Sequence, residues 1–196
     1  ISGQGSADSS ANYDNNGIDL AGGAVSTVGS GTITLNGSGG VTSNSNTGVY
    51  IGVGNTVSTV NGSLTVTGVG NSTAYGTSDI GVLVDTGGIV KSTGNGNVTV
   101  TGTGANPGGG SGNSNDGVAV SSAGIIETTG SGSLTIYGIK GSGLSNGVNA
   151  YFSNSLETTG TGNLTVYADA FNLGNANAIN SAGNLTIAPY SNISMG

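Results

Sequence analysis

The amino-acid sequence predicts an all-β fold: a parallel, right-handed β-helix (β-solenoid) of triangular section, about six coils long, with about three short strands per coil. Three observations carry this. An apolar–Thr–apolar triplet recurs six times at intervals near 30 residues. Two other strand patterns sit between successive triplets, always in the same order. Gly is 41 of 196 residues and apolar spacing is never three to four, which leaves no place for a helix of any length.

The third strand of each coil is the clearest. It reads TITL (32–35), SLTV (63–66), NVTV (97–100), SLTI (133–136), NLTV (163–166) and NLTI (184–187). Thr34, Thr65, Thr99, Thr135, Thr165 and Thr186 are its centres. Apolar residues flank each Thr, the period-two alternation of a half-buried strand, so Thr points out and its neighbours point in.

The first strand reads GIDL (17–20), GVYI (48–51), GVLV (81–84), GVAV (117–120) and GVNA (147–150), with a leading Gly supplying the corner. The second reads AVST (24–27), TVST (56–59), IVKS (89–92), IIET (125–128) and SLET (155–158). A turn rich in Gly, Ser and Asn follows it.

Third strands begin at Ile33, Leu64, Val98, Leu134 and Leu164, at intervals of 31, 34, 36 and 30 residues. The variation falls in one connection, with variable corner loops near 36–47, 67–80, 102–116 and 138–146. The last coil is shorter and lacks that loop. Phe171 and Leu173 read as its first strand and Ile179 as its second. The tail YSNISMG is expected to begin a further turn, with Ile193 and Met195 inward. At the other end, ISG at 1–3 fits the close of a preceding third strand. Residues 1–196 are thus expected to form a single solenoid domain, cut from or ordered within a longer array, or a segment from which a leader was removed.

No such triplet can bury a face alone, but stacked copies can. At ~4.8 Å between strands, six coils make a rod about 29 Å long. Right-handedness follows from the general hand of parallel crossovers. A sandwich of hairpins is the competing architecture. It does not explain identical side chains recurring at one-coil spacing.

Composition narrows function. The formal charge is −7, with 2 basic and 9 acidic residues and no His or Cys. Two Lys cannot neutralise a run of phosphates, so nucleic acid is not an expected partner. No apolar run approaches the ~18 residues of a membrane span. Without Cys there are neither disulfides nor thiolate metal sites. Such high Gly and Ser content would suggest disorder, but β-branched residues are plentiful and charge is scarce.

Four features could carry chemistry. Glu127 and Glu157 occupy equivalent places in adjacent coils, so their backbones should lie about 4.8 Å apart. Retaining glycosidases hold two carboxyl groups at roughly 5 Å. The column continues through Lys91, Ser58 and Ser26, which reads more simply as a surface column with Lys91 over Glu127. No Arg, His or second acid cluster accompanies it for sugar cleavage. The six Thr form a hydroxyl ladder, extended by Thr67 and Thr101, that suits ice binding as well as plain strand pairing. Tyr137 and Tyr167 stand in the neighbouring column and would break a flat array. Tyr50, Tyr137 and Tyr167 face outward, and Tyr13, Tyr75 and Phe171 lie in or near corners. Exposed Tyr can stack on sugar rings or on one another. Asp14, Asp79 and Asp116 precede first strands and make a weak candidate for a corner calcium site, although no calcium-binding repeat is present. The expected set of catalytic, cofactor-binding and metal-ligating residues is therefore empty, and the chain is expected not to be an enzyme.

The pattern GVxV…GxIxTTGxGNLTVxGxG resembles the β-helical repeats of large bacterial secreted adhesins, including filamentous-haemagglutinin-like and autotransporter-passenger-like surface proteins. The resemblance covers residues 17–187. It implies an extracellular or cell-surface location and structural or adhesive work. The expected partners are a further coil, by end-to-end self-association or continuation in a longer chain, and a glycan or cell-surface ligand. The other expected readings are a polysaccharide-binding or polysaccharide-cleaving β-helix and an ice-binding Thr ladder.

Overall fold

The computed structural model describes residues 1–7, 14–41, 44–71, 76–105 and 113–190. Every strand is short and no described residue is helical. Strand β1 (Ser2–Gln4) comes first, then six triplets. They are β2 (Ile18–Ala21), β3 (Ala24–Ser26) and β4 (Ile33–Ser38); then β5 (Val49–Gly52), β6 (Thr56–Thr59) and β7 (Leu64–Val69). The middle pair is β8 (Val82–Val84), β9 (Ile89–Ser92) and β10 (Val98–Thr103), then β11 (Val118–Val120), β12 (Ile125–Thr128) and β13 (Leu134–Ile139). Last come β14 (Val148–Ala150), β15 (Leu156–Thr158) and β16 (Leu164–Ala168), then β17 (Phe171–Leu173), β18 (Ile179–Ser181) and β19 (Leu185–Ala188).

The triplets stack into three parallel sheets. Third strands form the order β1-β4-β7-β10-β13-β16-β19, first strands β17-β14-β11-β8-β5-β2, and second strands β18-β15-β12-β9-β6-β3. The chain is an all-β parallel solenoid with three sheets around one core, as the repeat predicts. The register is that of the repeat as well. Thr34, Thr65, Thr99, Thr135, Thr165 and Thr186 pair in one unbroken series. Gly3 of β1 pairs with Gly37, which places ISG at the close of a third strand.

Stacked register turns each apolar position into a column. Leu64, Val98, Leu134 and Leu164 form one, and Val66, Val100, Ile136 and Val166 the next, all fully buried. Burying each such side chain stabilises the fold by about 1.5–3 kcal/mol. Sheet two has a second inward column that the apolar pattern does not reveal. Thr59, Ser92, Thr128 and Thr158 are buried in register. Ser92 Oγ donates to the Val60 carbonyl at 3.0 Å, and Thr158 shares a 2.9 Å bond with Ser181.

Third strands run longer than expected, so the loops placed from 36, 67, 102 and 138 begin later, after Ser38, Val69, Thr103 and Ile139. The reason is a glycine column, Gly37, Gly68, Gly102 and Gly138, at an inward position. A Cβ on any of these would overlap the carbonyl of the leading Gly of the next first strand: Gly48, Gly81, Gly117 or Gly147 respectively. The ladder continues there because backbone packs directly on backbone. The leading glycines likewise serve close approach; none of them has a positive φ.

Positive φ falls elsewhere. Asp14, Ser45, Ser78 and Ser114 (φ 56, 57, 61 and 59) each lie three residues before a leading Gly. The turn from first to second strand has both central residues left-handed at Val53–Gly54, Thr86–Gly87 and Ser122–Ala123. Bonds from Asn55 N to Gly52 O, Gly88 N to Asp85 O and Gly124 N to Ser121 O close these as type I′ turns.

The variable corner is tied by buried amides. Asn46, Asp79 and Asn115 are wholly buried two residues before leading glycines. Asp79 Oδ1 accepts from Asn46 N (2.9 Å) and Nδ2 (2.8 Å), Asn115 Oδ1 accepts from Asp79 N (3.0 Å), and Ser145 Oγ accepts from Asn115 N (3.0 Å). Asp79, Asn115 and Ser145 thereby each satisfy a backbone N–H of the neighbouring coil that would otherwise be buried unpaired.

Gly102→Ala tests the close packing. Its Cβ has no space, so thermal or denaturant unfolding should show a loss of about 3 kcal/mol or more. Thr99→Ala, three residues away on the outer face, should cost less than about 1 kcal/mol.

Candidate functional site

The Glu column lies on the outer face of the second sheet. Ser26, Ser58, Lys91, Glu127, Glu157 and Asn180 follow in register. Glu127 and Glu157 are thus one strand apart, and Lys91 is the other neighbour of Glu127. Asn180 Nδ2 donates to Glu157 Oε1 at 2.8 Å. Partial burial lifts the Glu127 carboxyl above its ordinary range, Lys91 opposes that lift and Glu157 adds to it.

On the third sheet the Thr ladder is continuous, and the neighbouring column reads Asn36, Thr67, Thr101, Tyr137, Tyr167 and Ala188. Tyr137 and Tyr167 stack with centroids 5.2 Å apart and planes 6° from parallel. Tyr190 meets the Tyr137 ring edge-on at 6.3 Å. The Thr-only stretch of that second column is therefore two coils wide. Phe171 begins β17, opposite Val148, as its first-strand reading expects, and packs on the core. Tyr13, Tyr75, Ile193 and Met195 lie outside the described residues.

The three corner Asp do not converge. Asp14 is exposed at a left-handed residue, Asp79 is wholly buried in the amide ladder, and Asp116 is buried one position further along. Asp116 Oδ1 accepts from Asn146 N at 2.6 Å and Nδ2 at 3.2 Å, and Oδ2 accepts from Asn149 Nδ2 at 2.8 Å. The carboxylates occupy three different corner positions, three, two and one residues before the leading Gly of their coils.

One concave feature emerges where this corner meets the first sheet. It is a trough of about 310 Å³ across the first three coils, built from three columns. One rim is the outward column Asp19, Tyr50 and Leu83, in register on β2, β5 and β8. The floor is Asn16, Thr47 and Ile80, of which Thr47 and Ile80 are 4% and 8% exposed. The far rim is the left-handed column Asp14, Ser45 and Ser78.

Local bonds fix this geometry. Asn16 Oδ1 accepts from Thr47 N at 3.1 Å, and Asn16 Nδ2 donates to Asp19 Oδ2 at 3.2 Å. The Tyr50 ring lies along its own strand above Gly52, in space that a Cβ on Gly52 would occupy. The trough stops at coil four. There Ala119 replaces Leu83 in the rim, and Asn146 and Asn149 close over Asp116 in the floor. Of these residues, Tyr50 is visible in the sequence as an outward aromatic. The trough is not, because it needs three columns brought together by left-handed backbone.

Burial raises the Glu127 pKa in the folded state, so this group favours folding most at low pH and its contribution is lost as pH rises past 4.5. Carbon-detected NMR titration should find Glu127 above the ordinary Glu value, moved further up by Lys91→Met and down by Glu157→Gln. Glu127→Gln should remove the associated fall in melting temperature; titration of Glu127 at or below the ordinary value would contradict this. No protein-family model, curated protein or solved structure matches the chain.

Proposed function

We propose that the chain is a structural and adhesive β-solenoid segment of an exported bacterial surface protein or extracellular fibre. Its work is to be a stiff rod that carries corner loops at a distance from its anchor. The observation that supports this most directly is the last coil. Inward residues one coil earlier, Ala150, Leu164 and Val166, are fully buried. Their stacked successors Leu173, Leu185 and Ile187 are 46%, 48% and 49% exposed. An apolar end face carrying strand edges is a template for another strand. The partner that suits it is a further coil, whether from the same longer chain or from a second copy. The first coil offers Leu20, in the column of Leu173, and Val25, in the column of Ile179, each half-buried on the core.

The repeat adds support, since each coil extends the rod by ~4.8 Å without new chemistry. The variable corner tolerates length changes because they leave the glycine packing untouched. An outer surface of hydroxyls and amides with few charges suits contact with cell-surface or matrix partners.

Immunogold electron microscopy with an antibody to the folded rod is the test. Label on the cell surface or along extracellular filaments is expected; label confined to the cytoplasm overturns the reading. In solution, sedimentation should show concentration-dependent end-to-end association. Leu185→Lys combined with Ile187→Lys should abolish it while changing the melting temperature little.

A further inference from the structure

We propose that the trough on the first three coils binds one ring of a neutral glycan, with Tyr50 as the stacking platform. This goes beyond the rod reading, which needs no ligand site. A pyranose ring presents an apolar C–H face and an edge of hydroxyls, so a site for it pairs a flat aromatic surface with convergent acceptors and donors. The trough has that division. Tyr50 supplies the aromatic surface, its ring running along the strand over Gly52 in space that a side chain at residue 52 would take. Leu83 and the nearly buried Ile80 extend the apolar surface one coil on. Asp19 stands one coil back in the same column as Tyr50, where its carboxylate can accept from adjacent sugar hydroxyls. The Asn16 amide beside it is held in place by Thr47 N and Asp19.

Size and charge define the ligand class. About 310 Å³ is at the small end of ligand clefts and suits a single ring of a longer chain. Asp14 and Asp19 line the trough and the chain carries −7, so uronic and sialic acids are disfavoured. Coil four shows what a filled version looks like, with Ala119 in the rim and Asn149 on Asp116. The lining of the trough comes from three coils.

The experiment is a titration of the labelled chain by two-dimensional NMR with maltotriose, mannotriose, N-acetylglucosamine trisaccharide and sialyllactose. At least one neutral trisaccharide should bind, with shifts concentrated at Tyr50, Ile80 and Leu83, and sialyllactose should not. Tyr50→Ala should weaken binding about tenfold or more. Leu83→Trp, which fills the trough without altering Tyr50, should do the same, and Tyr137→Ala should change nothing. Circular dichroism and melting temperature report whether each variant is folded. Should Tyr50→Ala fail to fold, Leu83→Trp and the shift map decide. The proposal is overturned if no neutral trisaccharide binds, if sialyllactose binds as well, if shifts centre on Tyr137 and Tyr167, or if folded Leu83→Trp binds like the parent.

Discussion

Backbone packed on backbone at one corner sets the register of the whole rod. Gly37, Gly68, Gly102 and Gly138 each press against the carbonyl of the next first strand, leaving no volume for a side chain. That contact fixes where the third strand ends relative to where the first begins. Once it is fixed in one coil, the parallel ladder transmits it to the next. Every inward column then has its copy directly above, and the apolar side chains fill the tube at close-packed density. A one-residue slip would turn all of a strand's inward residues outward.

Polar groups obey the same stacking. The variable corner can differ in length because its connection to the core is short and buried: Asn46, Asp79, Asn115 and Ser145 hand hydrogen bonds from coil to coil. On the outer faces, stacking places like on like, which favours hydroxyls and aromatics over charges. Tyr137 on Tyr167 is stabilising. Glu127 beside Glu157 is not: partial burial lifts the Glu127 carboxyl first, and the neighbouring Glu157 adds to that lift.

Much of this was legible in the residues themselves. Period-two alternation in Leu134-Thr135-Ile136 and its copies specifies which way each side chain points, and spacing specifies what stacks on what. Even the recurring Glu became intelligible as one position of a repeat. What stayed hidden depends on contacts between chain segments. The turns at Val53–Gly54 and Ser122–Ala123 lack the Asn-Gly signature of their type, so neighbouring coils impose them. Thr59 and Thr128 resemble surface residues in the sequence, yet their phase buries them. The residues before each leading Gly read as loop composition, although they form a buried ladder and one rim of the trough. Tyr50 could be named in advance; that its ring runs over Gly52 could not.

In-register stacking of identical coils is the claim on which the account stands, and distance measurement between spin labels tests it directly. The chain contains no Cys, so labels can be placed cleanly. Thr34→Cys would be combined in turn with Thr135→Cys, Thr165→Cys and Thr186→Cys, all outward in one ladder. Backbone separations of about 14, 19 and 24 Å are expected, so the measured distance should lengthen by ~4.8 Å with each added coil. Distances that fail to lengthen with coil number, or that lengthen by unequal steps, would contradict the stacked solenoid.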